Sequence, residues 1–394
     1  MDDFFLSEEQ RQIRDTVRKF VESELIPLEP RLIRRETEGG SGASPGLTDE
    51  EQKDLQGKAR ALGFWGIDLP AEYGGVDLDP VTQSVIHEEL GRTIVDFHFG
   101  GSVLPALFTC NDEQKERYLY PTIRGERVSC IAISEPGSGS DARAMRTTAL
   151  RDGDDWVING EKCWITRGHI ADYVILFART PSAEAPDGIT CFLVDRSRGW
   201  TSAQIPVMGS RDKVGSLAFD NVRVPSTAIL GKVNRGFDHA MPFIYRNRGY
   251  VLSAKNIGAM ARIIEMTIEW ARNRKVFGKL LCDRDNIVQA IAEMEVALRT
   301  SKLLVHHAAR KAAAGVDFRH EACTVKAYVA RTANQVVDRA LQIHGAMGYA
   351  KENVIERWYR DLRVERIYDG SDEINLANVA RNLFKGHVRP GEMF

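Results

Sequence analysis

The stretch Arg360–Ile374, RDLRVERIYDGSDEI, sets one carboxylate, Asp369, on a Tyr-Asp-Gly turn just ahead of a helix. Gly370 has no side chain to obstruct an approaching ligand. Ser371 can cap the helix that follows, and Asp372 and Glu373 suit its first turn. A lone carboxylate beside a glycine is what proton abstraction from carbon needs, although the tetrapeptide alone also reads as a capped surface turn. Ser134-Glu-Pro-Gly-Ser-Gly-Ser-Asp141 follows a strand. Its glycines, Gly139 included, admit a planar or phosphorylated ligand to the backbone, while Ser134 and Ser140 can donate hydrogen bonds. Cys163-Trp-Ile-Thr166 puts Trp164 and Thr166 on one strand face, either to stack on a ring and donate to it or to pack a core. Arg272–Lys279 ends a helix with cations that suit a helix C-terminus or a pyrophosphate, with Phe277 available to an aromatic ring. Gln342–Tyr349 ends another helix with small residues that let something flat touch the backbone; His344 within it reads as structural.

These pieces lie in three textures. Residues 1–125 read as a helical domain: a Ser7/Gln10 capping box, an apolar stripe from Leu6 to Val21 ended by Pro27 and Pro30, a Gly/Ser loop over 38–46, and helices at 55–62 and 81–90. Residues 126–235 carry short strands (128–134, 156–159, 162–166, 173–177, 190–194 and 217–219), which predict a small antiparallel barrel or sandwich. Residues 236–394 return to helical spacing, with Ile287, Ile291, Met294 and Leu298 on one stripe and Val325, Val329, Val336, Val337 and Leu341 on another, as in an antiparallel bundle.

The chain of 394 residues has a net charge of −2 with basic residues spread along it, which gives no nucleic-acid footprint. Its six cysteines form no Cys-x-x-Cys pair, so neither a metal site nor a disulfide framework is suggested. No apolar run reaches the length of a membrane span, and the start Met1-Asp-Asp-Phe is acidic, so a cytoplasmic, membrane-free protein is expected. No Walker loop or strand-linked Gly-x-Gly-x-x-Gly is present, which argues against a nicotinamide Rossmann domain.

The order of the motifs, SEPGSGSD, WIT, RKVFG, QIHGA and YDGS, resembles the acyl-CoA dehydrogenase family over nearly the full length. The resemblance implies an α+β, mostly helical fold: a helical N-terminal domain, a small central β-barrel and a C-terminal four-helix bundle. It also implies FAD as cofactor, an acyl-CoA substrate, a homotetramer built as a dimer of dimers, and an electron-transferring flavoprotein as acceptor. By the same resemblance, Ile131, Ile133, Ser134, Gly139 and Ser140, with Trp164, Ile165 and Thr166, hold the isoalloxazine ring, and Ser140 also lies near the substrate. Arg274 and Phe277 reach the FAD of the neighbouring subunit, as do Gln342, Ile343, Gly345 and Ala346, while Ser371 and Glu373 close the site from the cofactor's own subunit. Arg248 matches an arginine near the active-site carboxylate. The implied reaction is α-proton removal by Asp369, with the thioester carbonyl bonded to the Asp369 N–H, and β-hydride transfer to the flavin, giving a trans-2-enoyl thioester.

The chain departs from the family pattern at several positions. Asp369 stands where most members have Glu, one methylene longer, and Asn247 occupies the position where a few branches place that Glu. Tyr245 replaces an often acidic residue associated with the CoA adenine, and Arg284-Asp285 replaces a His-Gln pair. Phe97 and Phe99 read as ordinary core or, on the segment where the resemblance implies the acyl tail runs, as side chains that shorten its pocket, with His98 adding polarity; the second reading favours a short, branched or polar acyl group. A nitroalkane oxidase-like flavin oxidase, an acyl-carrier-protein thioester dehydrogenase and a non-catalytic flavin-binding protein are the alternatives.

Overall fold

The Ser7 capping box forms as the sequence requires. Ser7 N–H donates to Gln10 Oε1 at 3.0 Å and Gln10 N–H donates to Ser7 Oγ at 3.1 Å, which starts helix α1 (Glu8–Phe20). The computed structural model describes residues 6–39, 46–100, 103–209 and 214–393, so most of the expected Gly/Ser loop lies outside the described residues. Pro27 and Pro30 do not stop the helical path. It runs on through a π-turn (Val21–Leu25) and a 3-10 turn (Ile26–Leu28) into α2 (Glu29–Glu38), because each proline falls at the start of a new segment, where no N–H is needed. Helix α3 (Asp49–Ala61) starts earlier than the expected 55, at a Thr48/Glu51 capping box. Helix α4 (Pro80–Leu90) is capped by Asp79, which accepts from Val81 N–H at 2.8 Å.

The middle region is one eight-stranded sheet: β1 (Ser129–Ala132), β2 (Thr148–Asp152), β3 (Asp155–Thr166), β4 (Tyr173–Arg179), β5 (Ile189–Asp195), β6 (Thr201–Gln204), β7 (Val214–Pro225) and β8 (Ile229–Leu230). Two expected strands, 156–159 and 162–166, are one strand whose register against β7 shifts between Ile158 and Gly160 and again between Lys162 and Ile165. The sheet is not wholly antiparallel, since β1 runs parallel to β4, with Ser129 opposite Tyr173 and Ala132 opposite Leu176. Strands β2, β6 and β8 lie outside the expected set: only Thr148 and Ala149 of β2 and Ser202 of β6 are not exposed, which leaves little apolar signal, and β8 is two residues long.

The C-terminal helices are α5 (Phe237–Arg246), α6 (Leu252–Asn273), α7 (Asp285–Ala313), α8 (Arg319–His344), α9 (Val354–Arg363) and α10 (Asp372–Phe384). Met294 of α7 and Val325, Val329, Val336 and Val337 of α8 are buried with Met260 and Ile263 of α6 and Trp358 of α9. Helix α4 crosses α6 backbone to backbone. A Cβ on Gly258 would stand 1.8 Å from Glu88 O, and one on Gly91 2.0 Å from Lys255 O. That crossing presses the segment after α4 against α6. Among the described residues no helix is long and apolar enough to cross a membrane.

Candidate active site

Asp369 sits in the left-handed region at φ +54°, followed by Gly370 at +90°. Such a pair of dihedrals is strained for a non-glycine residue and places the carboxylate where the regular helix path would not. Arg248 holds the turn in place, its Nε donating to the Asp369 backbone carbonyl at 2.6 Å. A Cβ at Gly370 would fall 2.4 Å from Arg248 Nη2, so this glycine is required first by the packed guanidinium and the backbone, not by an approaching substrate. Ser371 caps α10 as expected, its Oγ accepting from Ile374 N–H at 3.4 Å, and Asn375 Nδ2 donates to Gly370 O at 2.7 Å. Val364 O accepts from both Ile367 and Tyr368 N–H, and the next backbone bond is Asn375 N–H to Ser371 O. Among the described residues this leaves the Asp369 N–H outside the backbone ladder.

Arg248 itself lies in a π-turn (Asn247–Val251) between α5 and α6, which turns it inward while Asn247 and Tyr245 stay half-exposed. Its carbonyl accepts from Ser253 Oγ at 2.7 Å, and its guanidinium stands 5.7 Å over the Tyr245 ring. Lys326 and Glu365, which sequence reasoning passed over, complete the base of the site. Lys326 Nζ donates to the Tyr368 carbonyl at 3.2 Å and to the Glu365 carbonyl. Glu365 accepts from Asn256 Nδ2 at 3.1 Å and from Tyr368 OH at 2.9 Å. The available signal was a lysine amid the apolar stripe of α8, where a charge is retained only with partners.

Every one of these bonds avoids the Asp369 carboxylate, whose Oδ2 is buried without a partner. Burial pushes its carboxyl up to about 6; Arg248 and Lys326 pull the other way, and the Glu365 carboxylate adds to the rise. An enclosed acid poised near 6, with one oxygen unspent, is suited to accepting a proton from carbon near neutral pH.

A second group of expected residues gathers at the edge of the sheet. Cys163 N–H donates to Ser134 O at 3.0 Å, tying the SEPGSGSD loop to β3. Within the β3 bulge, Trp164 adopts φ +61° and leaves its indole 60% exposed, with Thr166 exposed on the same side. Ile165 faces the sheet core, so only its backbone can face a ligand, and Ile131 and Ile133 are half-buried against the neighbouring core. Ser140 and Gly139 are exposed, and a Cβ at Gly139 would meet nothing within 4 Å. Behind the loop lies a pair that the sequence reading did not single out. Lys162, fully buried, donates to Glu135 at 2.8 Å and to Ile133 O at 2.9 Å, while Glu135 also accepts from Arg146 and Thr147 N–H.

The third group forms a surface patch. Phe277 tips a two-residue-strand hairpin at φ +49° and is 93% exposed. The Arg274 guanidinium stands 5.8 Å over Trp270, which stacks on His344 at 5.2 Å. His344 is buried, with Nδ1 2.8 Å from Ala340 O, so it is structural as expected, and it anchors Gln342, Ile343, Gly345 (φ +61°) and Ala346 next to the hairpin. Glu373 is exposed at the start of α10. Among the described residues no hydrogen bond or ion pair joins this patch to the Asp369 turn or to the sheet edge.

The geometry now has a context. Family profiles described as acyl-CoA dehydrogenase N-terminal, middle and C-terminal domain match residues 7–126, 130–222 and 234–384. The chain is 36% identical to a 3-(aryl)acrylate reductase of Clostridium sporogenes, over 97% of this chain and 100% of that one. The chain belongs to the acyl-CoA dehydrogenase family. It is also 32% identical to the caffeyl-CoA reductase–Etf complex subunit CarC of Acetobacterium woodii, over 97% of this chain and 100% of the relative. A crystal structure of an acyl-CoA dehydrogenase from Geobacillus kaustophilus superposes with a TM-score of 0.84 at 29% identity, covering 96% of this chain and 99% of that one. The protein is therefore an oxidoreductase of mostly helical α+β fold whose cofactor is FAD. The residues present fit that group: an exposed indole and hydroxyl beside a glycine-rich loop suit a flat heteroaromatic ring, and exposed Phe277 with Arg274 suits an adenine dinucleotide.

Proposed function

We propose that the chain catalyses α,β-dehydrogenation of an acyl-CoA thioester to a trans-2-enoyl-CoA, with Asp369 as the α-proton base. The observation that carries this reading is the enclosed Asp369 carboxylate with an unpartnered oxygen. Arg248 acts as a positioning residue by fixing the Asp369 carbonyl, and the Asp369 N–H is the donor for the thioester carbonyl as charge develops on it. Asp is one methylene shorter than Glu, and the left-handed backbone at Asp369 sets where its carboxylate stands. Bound FAD supplies the acceptor for the β-hydride. Ser134, Gly139, Ser140, Trp164 and Thr166, with Ser371 and Glu373, hold it from its own subunit. Arg274, Phe277, Gln342, Gly345 and Ala346 hold it from a neighbour, so the active form has a dimer contact that covers the Phe277 patch, within the homotetramer that membership of the family suggests. Relatives named for aryl acids support an aryl-bearing acyl group, and one named as part of an Etf complex supports an electron-transferring flavoprotein as redox partner. The same proton-holding groups serve either direction of the reaction. We place the domain limits at 1–125, 126–235 and 236–394.

The test is anaerobic mixing of the FAD-loaded protein with acyl-CoAs of varied length, branching and aryl substitution, followed at the flavin absorbance. Bleaching by at least one thioester is expected. No bleaching by any of them, or rapid reoxidation of the reduced protein by air with turnover of a nitroalkane, would favour the oxidase or non-catalytic reading.

A further inference from the structure

Strand β3 breaks its ladder where it presents Trp164 and Thr166. Lys162 pairs with Leu217 of β7 and Ile165 with Gly215, so three steps along β3 match two along β7, and the extra residue falls at Cys163 or Trp164. The SEPGSGSD loop closes that gap. Cys163 N–H donates to Ser134 O at 3.0 Å instead of to β7. Lys162 strengthens the closure from one residue earlier. Its ammonium donates to Ile133 O at 2.9 Å and to Glu135 Oε1 at 2.8 Å, the neighbours of Ser134 on either side. A third contact is to Met145 Sδ at 3.7 Å. An ammonium has three donors, and here all three are directed into the protein.

Glu135 is held as closely. Its Oε1 also accepts from Thr147 N–H at 2.9 Å, and its Oε2 accepts from Arg146 N–H at 2.6 Å, which ties in the residues leading to β2. Glu135 N–H donates to Ser138 O at 2.9 Å and Ser138 N–H returns a bond to Glu135 O at 3.1 Å, so the loop also closes on itself. Apolar packing contributes little beyond this point. A cleft of about 250 Å³ is lined by Pro136 of the loop and by Cys163 and Leu217 of the strands behind it. A Cβ on Gly137, like one on Gly139, would meet nothing within 4 Å. The polar contacts that hold the loop thus converge on the side chains of Lys162 and Glu135, which are 0% and 6% exposed.

A buried ion pair is a poor device for stability alone, because apolar side chains of the same volume fill a core at a lower desolvation cost. What the pair can supply is a single arrangement, since directional bonds to particular atoms admit few others. The other fully buried pair, Arg357 with Asp361, lies within α9 and reaches Glu36 of α2, where no candidate ligand group stands. Lys162 and Glu135 instead join two segments that each present a hydroxyl: Ser134 on the loop and Thr166 on β3.

We propose that Lys162 and Glu135 are positioning residues for the flavin, their ion pair setting the distance between Ser134 and the Trp164 to Thr166 segment and so the hydrogen bonds and stacking that the isoalloxazine ring meets. The proposal rests on the reading that this sheet edge holds FAD from its own subunit. Lys162 has no donor left for a ligand, so it acts through the backbone it fixes.

The experiment compares Lys162→Met, Glu135→Gln and the double variant with the wild type and with Asp361→Asn, a break in the other buried pair. Three readouts are taken on the FAD-loaded proteins: retention of FAD on dilution, the visible flavin spectrum and the reduction potential of the bound flavin. Each single variant at the loop is expected to hold FAD about tenfold more weakly, with altered fine structure in the flavin band and a shifted potential. Asp361→Asn is expected to unfold at lower denaturant and to keep all three flavin readouts at wild-type values. The double variant strands no charge. A pair that serves stability alone would then recover all three readouts, which overturns the proposal, whereas lost positioning leaves them displaced. Unchanged readouts in a folded single variant overturn it as well. Amide exchange in the loaded wild type needs no variant to fold. Thr147 N–H, bonded to Glu135, and Cys163 N–H, bonded to Ser134, should exchange as slowly as the core amide of Leu176 in β4, and exchange at exposed-loop rates overturns the proposal. Trp164→Ala separates this inference from the reading on which it rests. If Trp164→Ala disturbs FAD retention and spectrum while the Lys162 and Glu135 variants do not, only the inference falls. If Trp164→Ala leaves both unchanged, this sheet edge does not hold the ring and both fall.

Discussion

Asp96 and Asp369 are both enclosed carboxylates, yet they ionise in opposite directions. Burial would raise Asp96, but His98 3.0 Å away, Lys255 and Arg167 hold its carboxyl well below the usual carboxylate range. Burial does raise Asp369, to about 6, even though Arg248 and Lys326 are close. The difference lies in where the donors point. At Asp96 a ring N–H meets the carboxylate itself. At Asp369, Arg248 spends its Nε on the backbone carbonyl, and Lys326 spends its ammonium on two other carbonyls. At Asp96 the His98 ring is both a charged neighbour and a donor on the carboxylate, whereas at Asp369 the cations act only through space. The Asp96 carboxylate has a ring nitrogen 3.0 Å away, while Asp369 Oδ2 is buried without a partner.

That contrast can be broken by removing the unspent oxygen. Asp369→Asn is expected to keep FAD, judged by its visible spectrum, and to lose about a thousandfold or more in the rate of flavin reduction, within the range for a general base. Gly370→Ala attacks the geometry. Its Cβ would stand 2.4 Å from Arg248 Nη2 on a backbone at φ +90°. A loss of about 1–3 kcal/mol in denaturant unfolding and a fall in turnover are expected, and a stable, fully active Gly370→Ala would show that Arg248 does not fix the turn. Glu365→Gln sharpens the comparison gently. Removing a neighbouring negative charge makes ionised Asp369 easier to form, so the acid limb of the pH–rate profile should move to lower pH, and turnover at pH 5.5 should rise with little change at pH 8.

Much of this was legible in the chain. The Ser7 and Ser371 caps, the stripe of α8, and Met294 with Leu298 of the α7 stripe follow from local chemistry and periodicity, whereas Ile287 and Ile291 stay half-buried outside that core and the exposed Trp164 could as well have packed one. The misses have a common cause. Pro27 and Pro30 read as stops because the sequence does not show that short π and 3-10 turns carry the chain past them. The parallel pairing of β1 with β4, the role of Gly370 as a seat for Arg248, and the union of Asp96, His98 and Lys255 all join residues distant along the chain. No local pattern encodes such meetings. Of the two readings open for Phe97 and Phe99, the structure takes core packing, with both rings buried against Phe20.

The most direct test of Asp369 as the base is the rate of anaerobic flavin reduction by a single acyl-CoA, measured from pH 4.5 to 8 in the wild type and in Asp369→Asn. A base must be ionised to work, so the wild-type rate should fall about tenfold per pH unit below an apparent pKa near 6 and level off above it. The residual Asp369→Asn rate should show no such limb. A wild-type rate that is flat between pH 5 and 7, or the same limb persisting in Asp369→Asn, would contradict the assignment.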